Sequence, residues 1–169
     1  MSKVALRQYA VKSRSGRTGR TAAGDHLTAL IVPTIRLRAL FTAAGEEIAR
    51  PAGQTLARWL VMEAVAESPR TVAQIARSMG LARQSVQRLA DLIEGDGLTV
   101  YLDNPDHQRA KLVRLTARGR RALRTIQEAQ QAWASDVGAE IGEAELGQAA
   151  AAIDRLLQVL VDRRRKGGY

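Results

Sequence analysis

The stretch 71–116 constrains this chain more than any other. Thr71-Val-Ala-Gln74 sets a hydroxyl where a helix would begin and a side-chain amide three residues later, the two halves of a capping box. Val72, Ile75, Ala76 and Met79 then recur at i, i+3, i+4 and i+7, which predicts a short amphipathic helix. Gly80 and Leu81 interrupt it. Val86, Leu89, Ala90 and Ile93 repeat the spacing and predict a second short helix that ends near Gly95 and Gly97. Residues 99–102 and 111–115 are β-rich runs on either side of a polar, turn-rich stretch at 103–110, a hairpin with a long tip. Two brief helices joined by a tight glycine turn and followed at once by a hairpin are a winged helix-turn-helix.

Helical patterns flank this module. Asp25 is positioned to cap a helix running toward Arg50, with Leu27, Leu30, Leu37 and Phe41 on its apolar face and a kink expected at Pro33. Pro51-Ala-Gly53 breaks the chain, and Leu56, Trp59, Leu60 and Met62 mark the next helix. Ala122, Ile126, Ala129, Trp133 and Val137 mark a long one, and Leu146, Ala150, Ile153, Leu157 and Leu160 a last one after Gly142. The fold class expected is mainly α, a winged helix-turn-helix with a short β-hairpin wing and flanking N- and C-terminal dimerisation helices. The expected divisions are a flexible basic arm at 1–24, an N-terminal dimerisation helix at 25–53, the winged module at 54–116, and C-terminal dimerisation helices with a basic tail at 117–169. The first and last helices carry apolar faces that one small winged helix cannot cover, which points to a homodimer.

Charge narrows the partner class. The chain has 26 Lys+Arg against 17 Asp+Glu, a net charge of +9 over 169 residues, which favours an anionic partner. Six of those units are Lys3, Arg7, Lys12, Arg14, Arg17 and Arg20, in a segment with no acid before Asp25. Residues 71–116 hold six basic and five acidic residues, so the winged module is barely cationic by sum. Arg118, Arg120, Arg121 and Arg124 crowd the start of a helix, where the dipole favours acids and a nearby external anion would offset the cost.

The absence of cysteine excludes disulfides, Cys-ligated zinc and thiol chemistry. His26 and His107 have no ligand-spaced or triad-forming companions, so neither a catalytic site, a metal site nor a cofactor is expected. No uninterrupted apolar run approaches the ~20 residues of a membrane span, so no membrane partner is expected and the cytoplasm is the default compartment.

Double-stranded DNA is the partner that the module suits. The major groove admits an α-helix, and on the helix after Leu81 the apolar set faces inward. Gln84, Gln87, Arg88 and Asp91 then face outward, with Arg83 and Ser85 near the N-terminus. Arg pairs best with guanine and Gln with adenine, so Arg83, Gln84, Gln87 and Arg88 are the expected readers, and Ser85 reaches a phosphate or base edge. Arg109 in the hairpin tip suits the narrow minor groove, and Lys111 and Arg114 suit phosphates. Rival readings are an activator or architectural DNA binder, and a basic winged helix for protein or RNA contacts.

Gly95-Asp-Gly-Leu98, followed by Asn104-Pro-Asp-His-Gln-Arg-Ala-Lys-Leu-Val-Arg-Leu-Thr-Ala-Arg-Gly119, resembles the MarR family of bacterial transcription regulators. The likeness runs from about residue 56 to residue 119, and the wing with its Leu-Thr-x-x-Gly ending is its specific part. The resemblance implies that residues 83–88 lie on the recognition helix and that Arg109 is the wing-tip arginine. It further implies a homodimer with intertwined terminal helices, repression by promoter occlusion, and release of DNA by a small, often phenolic, anion. His26, Arg36, Phe41, Trp59 and Met62 are the candidate contacts for such an effector. Two departures stand out. The family often has Asp two residues before the wing arginine, where this chain has His107 and carries Asp106 one residue earlier. Ala82 stands where Ser or Thr would cap the recognition helix better.

Overall fold

A computed structural model describes residues 21–105, 107 and 109–167. The six cations of the N-terminal segment, together with Asp106 and Gln108, lie outside the described residues. The chain divides into two compact units between Glu46 and Glu47.

The first unit contains most of helix α1, Ala22–Ala49, which continues three residues into the second. The helix begins three residues before the expected cap. The Thr21 hydroxyl accepts from the Gly24 amide at 3.2 Å, so Thr21 takes the capping place and Asp25 falls in the first turn, where its charge suits the helix dipole. Pro33 lies inside the helix, which continues past it without a break. Leu27, Leu30, Ile31, Ile35, Leu37 and Phe41 share about half of the helix circumference and are exposed, Ile35 to 64%.

Ala22–Ala52 is long and apolar enough, by length and composition alone, to cross a membrane, with a mean hydropathy of 1.4 over its best window. The uninterrupted apolar run stops at Arg36, which is why counting runs excluded it; a window average tolerates up to two charges.

In the second unit a 3-10 turn at Arg50–Ala52 ends at Gly53, and α2 spans Leu56–Ala64 with Thr55 as its side-chain cap. A short strand β1, Arg70–Thr71, leads directly into α3, Val72–Met79. The capping box read from the sequence is present in full: the Thr71 hydroxyl accepts from the Gln74 amide, and the Gln74 side chain accepts from the Thr71 amide. Gly80 closes α3 in the left-handed conformation, φ 65°, that glycine adopts without strain. Helix α4 is Arg83–Gly95, and its N-cap Ala82 offers no side-chain bond. Strands β2, Thr99–Leu102, and β3, Leu112–Leu115, form the hairpin, and β1 pairs with β3 to complete a three-stranded antiparallel sheet of order β1-β3-β2. Helices α5, Ala117–Ile141, and α6, Glu143–Arg165, complete the unit.

The core lies under the winged module. Val61, Met62, Val65, Ile75, Val86, Ala90, Ile93, Leu98, Val113, Leu115 and Leu123 are buried together, so α2, α3, α4, the hairpin and the start of α5 share one apolar centre. A smaller cluster of Ile48, Ala49 and Ile126 lies beside it, with Trp59 packed against both.

The hairpin and α5 are locked at one point. The Leu98 carbonyl accepts from the Thr116 amide at 3.0 Å, and the Thr116 hydroxyl donates to the Gly97 carbonyl at 2.8 Å while capping α5 through the Gly119 amide. A β-carbon on Gly119 would collide with the Leu98 carbonyl, so only glycine allows this approach. That accounts physically for the spacing Leu115-Thr116-x-x-Gly119.

Candidate nucleic-acid interface

The apolar stripe of α4 turns Val86, Ala90 and Ile93 inward and leaves Arg83, Gln84, Ser85 and Arg88 exposed, as helical periodicity requires. Strand β2 runs beside α4 and pairs with β3, and the described tip residues 103–105, 107, 109 and 110 lie between the two strands. Between the N-terminal half of α4, the start of α3 and this wing lies an open cleft. Arg83, Gln87, Tyr101, Arg109 and Lys111 line one part of it, together with Thr71, Val72 and Ala73. Arg77, Arg83, Asn104, His107 and Arg109 line the adjoining part.

The structure therefore brings Arg83, Gln87, Arg109 and Lys111 to one place. Gln84, Ser85 and Arg88 are exposed on α4 but do not line the cleft, and Arg114 is an exposed side chain on β3, opposite Val100 of β2. Arg77, in the last turn of α3, was missed by sequence reasoning and joins the cleft; its only signal was a cation on the polar side of a strongly amphipathic helix. Among its described lining residues the cleft has four cations, Arg77, Arg83, Arg109 and Lys111, and no carboxylate.

Among the acids of residues 71–116, Asp91 and Asp96 have side-chain partners, and those of Asp91 themselves line the cleft. Asp96, just past α4, is ion-paired with Arg58 of α2. Asp91 accepts from the Tyr101 hydroxyl at 2.6 Å and from Gln87 Nε2 at 2.8 Å, and Gln87 Nε2 also donates to the Tyr101 oxygen at 2.8 Å. This closed trio ties α4 to β2. Burial, together with the bond to Asp91 and its negative charge, raises the Tyr101 phenol well above its ordinary range. Tyr101 also went unnoticed in the sequence, where it reads as ordinary strand filler. Gln87, expected to face outward freely, is half-buried and held by this trio.

The candidate effector contacts fall in different settings. His26, Arg36 and Phe41 are exposed along α1, spread over roughly 22 Å of helix rise. Met62 is wholly buried in the core, and Trp59 is half-buried with its indole N–H donating to Glu63 at 3.2 Å. Gln127 of α5 donates to the same carboxylate at 3.3 Å. Among the described residues no group of three or more His, Cys, Asp or Glu is placed to hold a metal ion.

Residues 52–110 match the sequence model of the MarR family. The uncharacterized protein Rv2011c of Mycobacterium tuberculosis is 38% identical over 104 residues, covering 62% of this chain and 73% of that protein. The chain belongs to the MarR family. It is thereby a DNA-binding transcription regulator rather than an enzyme.

Solved structures agree in fold. The Mycobacterium tuberculosis transcriptional regulator MOSR, determined in complex with DNA, is 26% identical with a TM-score of 0.58, covering 72% of this chain and 96% of that one. CouR of Rhodococcus jostii, bound to p-coumaroyl-CoA, is 22% identical with a TM-score of 0.67, covering 81% and 95%. The mainly helical winged helix-turn-helix architecture expected from the sequence is the architecture of this MarR protein.

Proposed function

We propose that this MarR protein is a homodimeric repressor of pseudo-palindromic operators in the cytoplasm, which reads the major groove with the N-terminal half of α4 and the minor groove with the wing. The observation that carries this reading is the segregation of charge around α4. A winged module that is nearly neutral by sum gathers Arg77, Arg83, Arg109 and Lys111 on one cleft, where the described lining holds no carboxylate. Such a surface attracts phosphate, and the exposed Arg83, Gln84, Ser85 and Arg88 present the side chains that distinguish base edges. Arg109 at the wing tip serves the minor groove, and Lys111 and Arg114 hold the phosphates beside it.

Dimerisation is supported by the exposed apolar stripes of α1 and α6, which one copy leaves in water. Residues 25–53 and 117–169 carry the dimer contacts in this reading, and residues 54–116 read DNA. A small aromatic or anionic effector that lowers DNA affinity belongs to the same reading. It is supported by the p-coumaroyl-CoA held by CouR, with His26, Arg36, Phe41, Trp59 and Met62 as the contacts to vary first.

The test is duplex affinity of Arg109→Ala. A loss of tenfold or more supports the wing in the minor groove, in line with ~1–3 kcal/mol for one well-made contact. Affinity unchanged from wild type would remove Arg109 and the wing from the DNA interface.

A further inference from the structure

The trio of Gln87, Asp91 and Tyr101 has a consequence for what Gln87 says to DNA. A glutamine amide has two N–H donors and one carbonyl acceptor. Gln87 Nε2 lies 2.8 Å from both Asp91 Oδ1 and the Tyr101 oxygen, so the nitrogen end of the amide is turned into the trio. The reverse orientation of the amide would set its carbonyl against the Asp91 carboxylate, so the carboxylate fixes which end is nitrogen. Tyr101 in turn donates its only proton to Asp91 at 2.6 Å, which leaves its oxygen to accept from Gln87. Gln87 still lines the cleft beside Arg83 and Arg109.

We infer that Gln87 meets DNA as a hydrogen-bond acceptor only, through Oε1, and that Asp91 and Tyr101 are the positioning residues that impose this. The inference rests on the reading of α4 as the recognition helix. A free glutamine reads adenine by donating to N7 and accepting from N6. With Nε2 held by Asp91 and Tyr101, that paired contact is not available. A lone carbonyl accepts from the exocyclic amine of adenine or of cytosine, and it is repelled by the major-groove oxygens of guanine and thymine. The trio converts a residue suited to adenine into one that accepts A or C alike.

Selection of bound sequences from random duplex DNA tests this. It should be done with wild type, Gln87→Ala, Arg83→Ala, Tyr101→Phe and the Asp91→Ala/Tyr101→Phe double variant, with thermal melts confirming that each is folded. Wild type is expected to select one position per half-site that takes A and C within about twofold and excludes G and T. Gln87→Ala should make that position indifferent. The double variant frees the amide and should favour adenine over cytosine at that position by roughly fivefold or more, the lower end of what a bidentate pair supplies. Tyr101→Phe alone should move in the same direction by less, and serves if the double variant does not fold. The inference fails if Gln87→Ala leaves every position unchanged while Arg83→Ala relaxes its own, an outcome that leaves the recognition-helix reading standing. It also fails if the released variants keep the A/C tolerance of wild type. If wild type selects no preferred duplex, the reading falls and the inference falls with it.

Discussion

A β-carbon on Gly119 would press into the Leu98 carbonyl and approach the Leu115 side chain to 3.0 Å. The obstacle on one side is backbone, which cannot swing away as a flexible side chain would. Gly119→Ala should therefore separate the N-terminus of α5 from the hairpin, weaken the Thr116 bonds to Gly97 and Leu98, and destabilise the fold by about 2–4 kcal/mol. A lowered melting temperature is the expected result, and an unchanged one would show that the contact is loose. Tyr101 gives a pH-dependent prediction. Its phenol is raised above the ordinary value of 10.0, by burial first and then by Asp91. The folded state thus keeps a proton that the unfolded state has already lost. The stability this adds is fully present below about pH 10 and is lost as pH rises above it. The wild-type melting temperature should fall more steeply between pH 9.5 and 11 than that of Tyr101→Phe. Parallel curves would mean that the phenol is not held by Asp91 in solution.

At the scale of elements, most of the winged module is legible because local chemistry and tertiary packing agree. The Thr71–Gln74 box, the i, i+3, i+4, i+7 repeats of α3 and α4, and the left-handed Gly80 each have a local cause, and each reappears in the fold. Strand β1 is different. Two residues cannot show alternation, and Arg70–Thr71 is a strand only because β3 comes to lie beside it. The start of α1 is harder to read, because Asp25 is a strong cap by type, yet Thr21, four residues earlier, also caps and accepts from the Gly24 amide. Ala82 is the opposite case: a weak cap by type that is uncapped in the structure. Ala82→Ser should supply an acceptor to the first turn of α4 and stabilise the protein by about 0.5–1 kcal/mol, read as a higher melting temperature. No gain would indicate that the first-turn amides of α4 are already satisfied.

For the whole molecule, net charge is a poor guide to where the partner binds. Six of the nine net positive charges fall before Asp25, and the winged module sums to +1, yet four of its cations share one cleft while Asp91 and Asp96 are held by other residues. No sum over the sequence contains that separation, which is created when α3, α4 and the wing converge. The candidate site was legible as a list of residues, whereas Arg77's membership and Gln87's capture required three dimensions. The apolar stripes of α1 and α6 belong to this scale too. Leu157 is 55% exposed and Phe41 54%, and covering what remains of such side chains is worth about 1–1.5 kcal/mol each, half the value of full burial. Leu157→Glu should therefore shift the protein from dimer toward monomer in sedimentation equilibrium, and a dimer equal to wild type would place the interface elsewhere.

The central claim is that two copies of this chain read one duplex, each through α4. Sequence selection from random duplex DNA tests it most directly. The account predicts a pseudo-palindrome with half-site centres ~34–36 Å apart along the helix axis, and loss of preference at one position per half-site in Arg83→Ala. A wild-type protein that enriches no sequence, or an Arg83→Ala variant that selects the wild-type site unchanged, would contradict it.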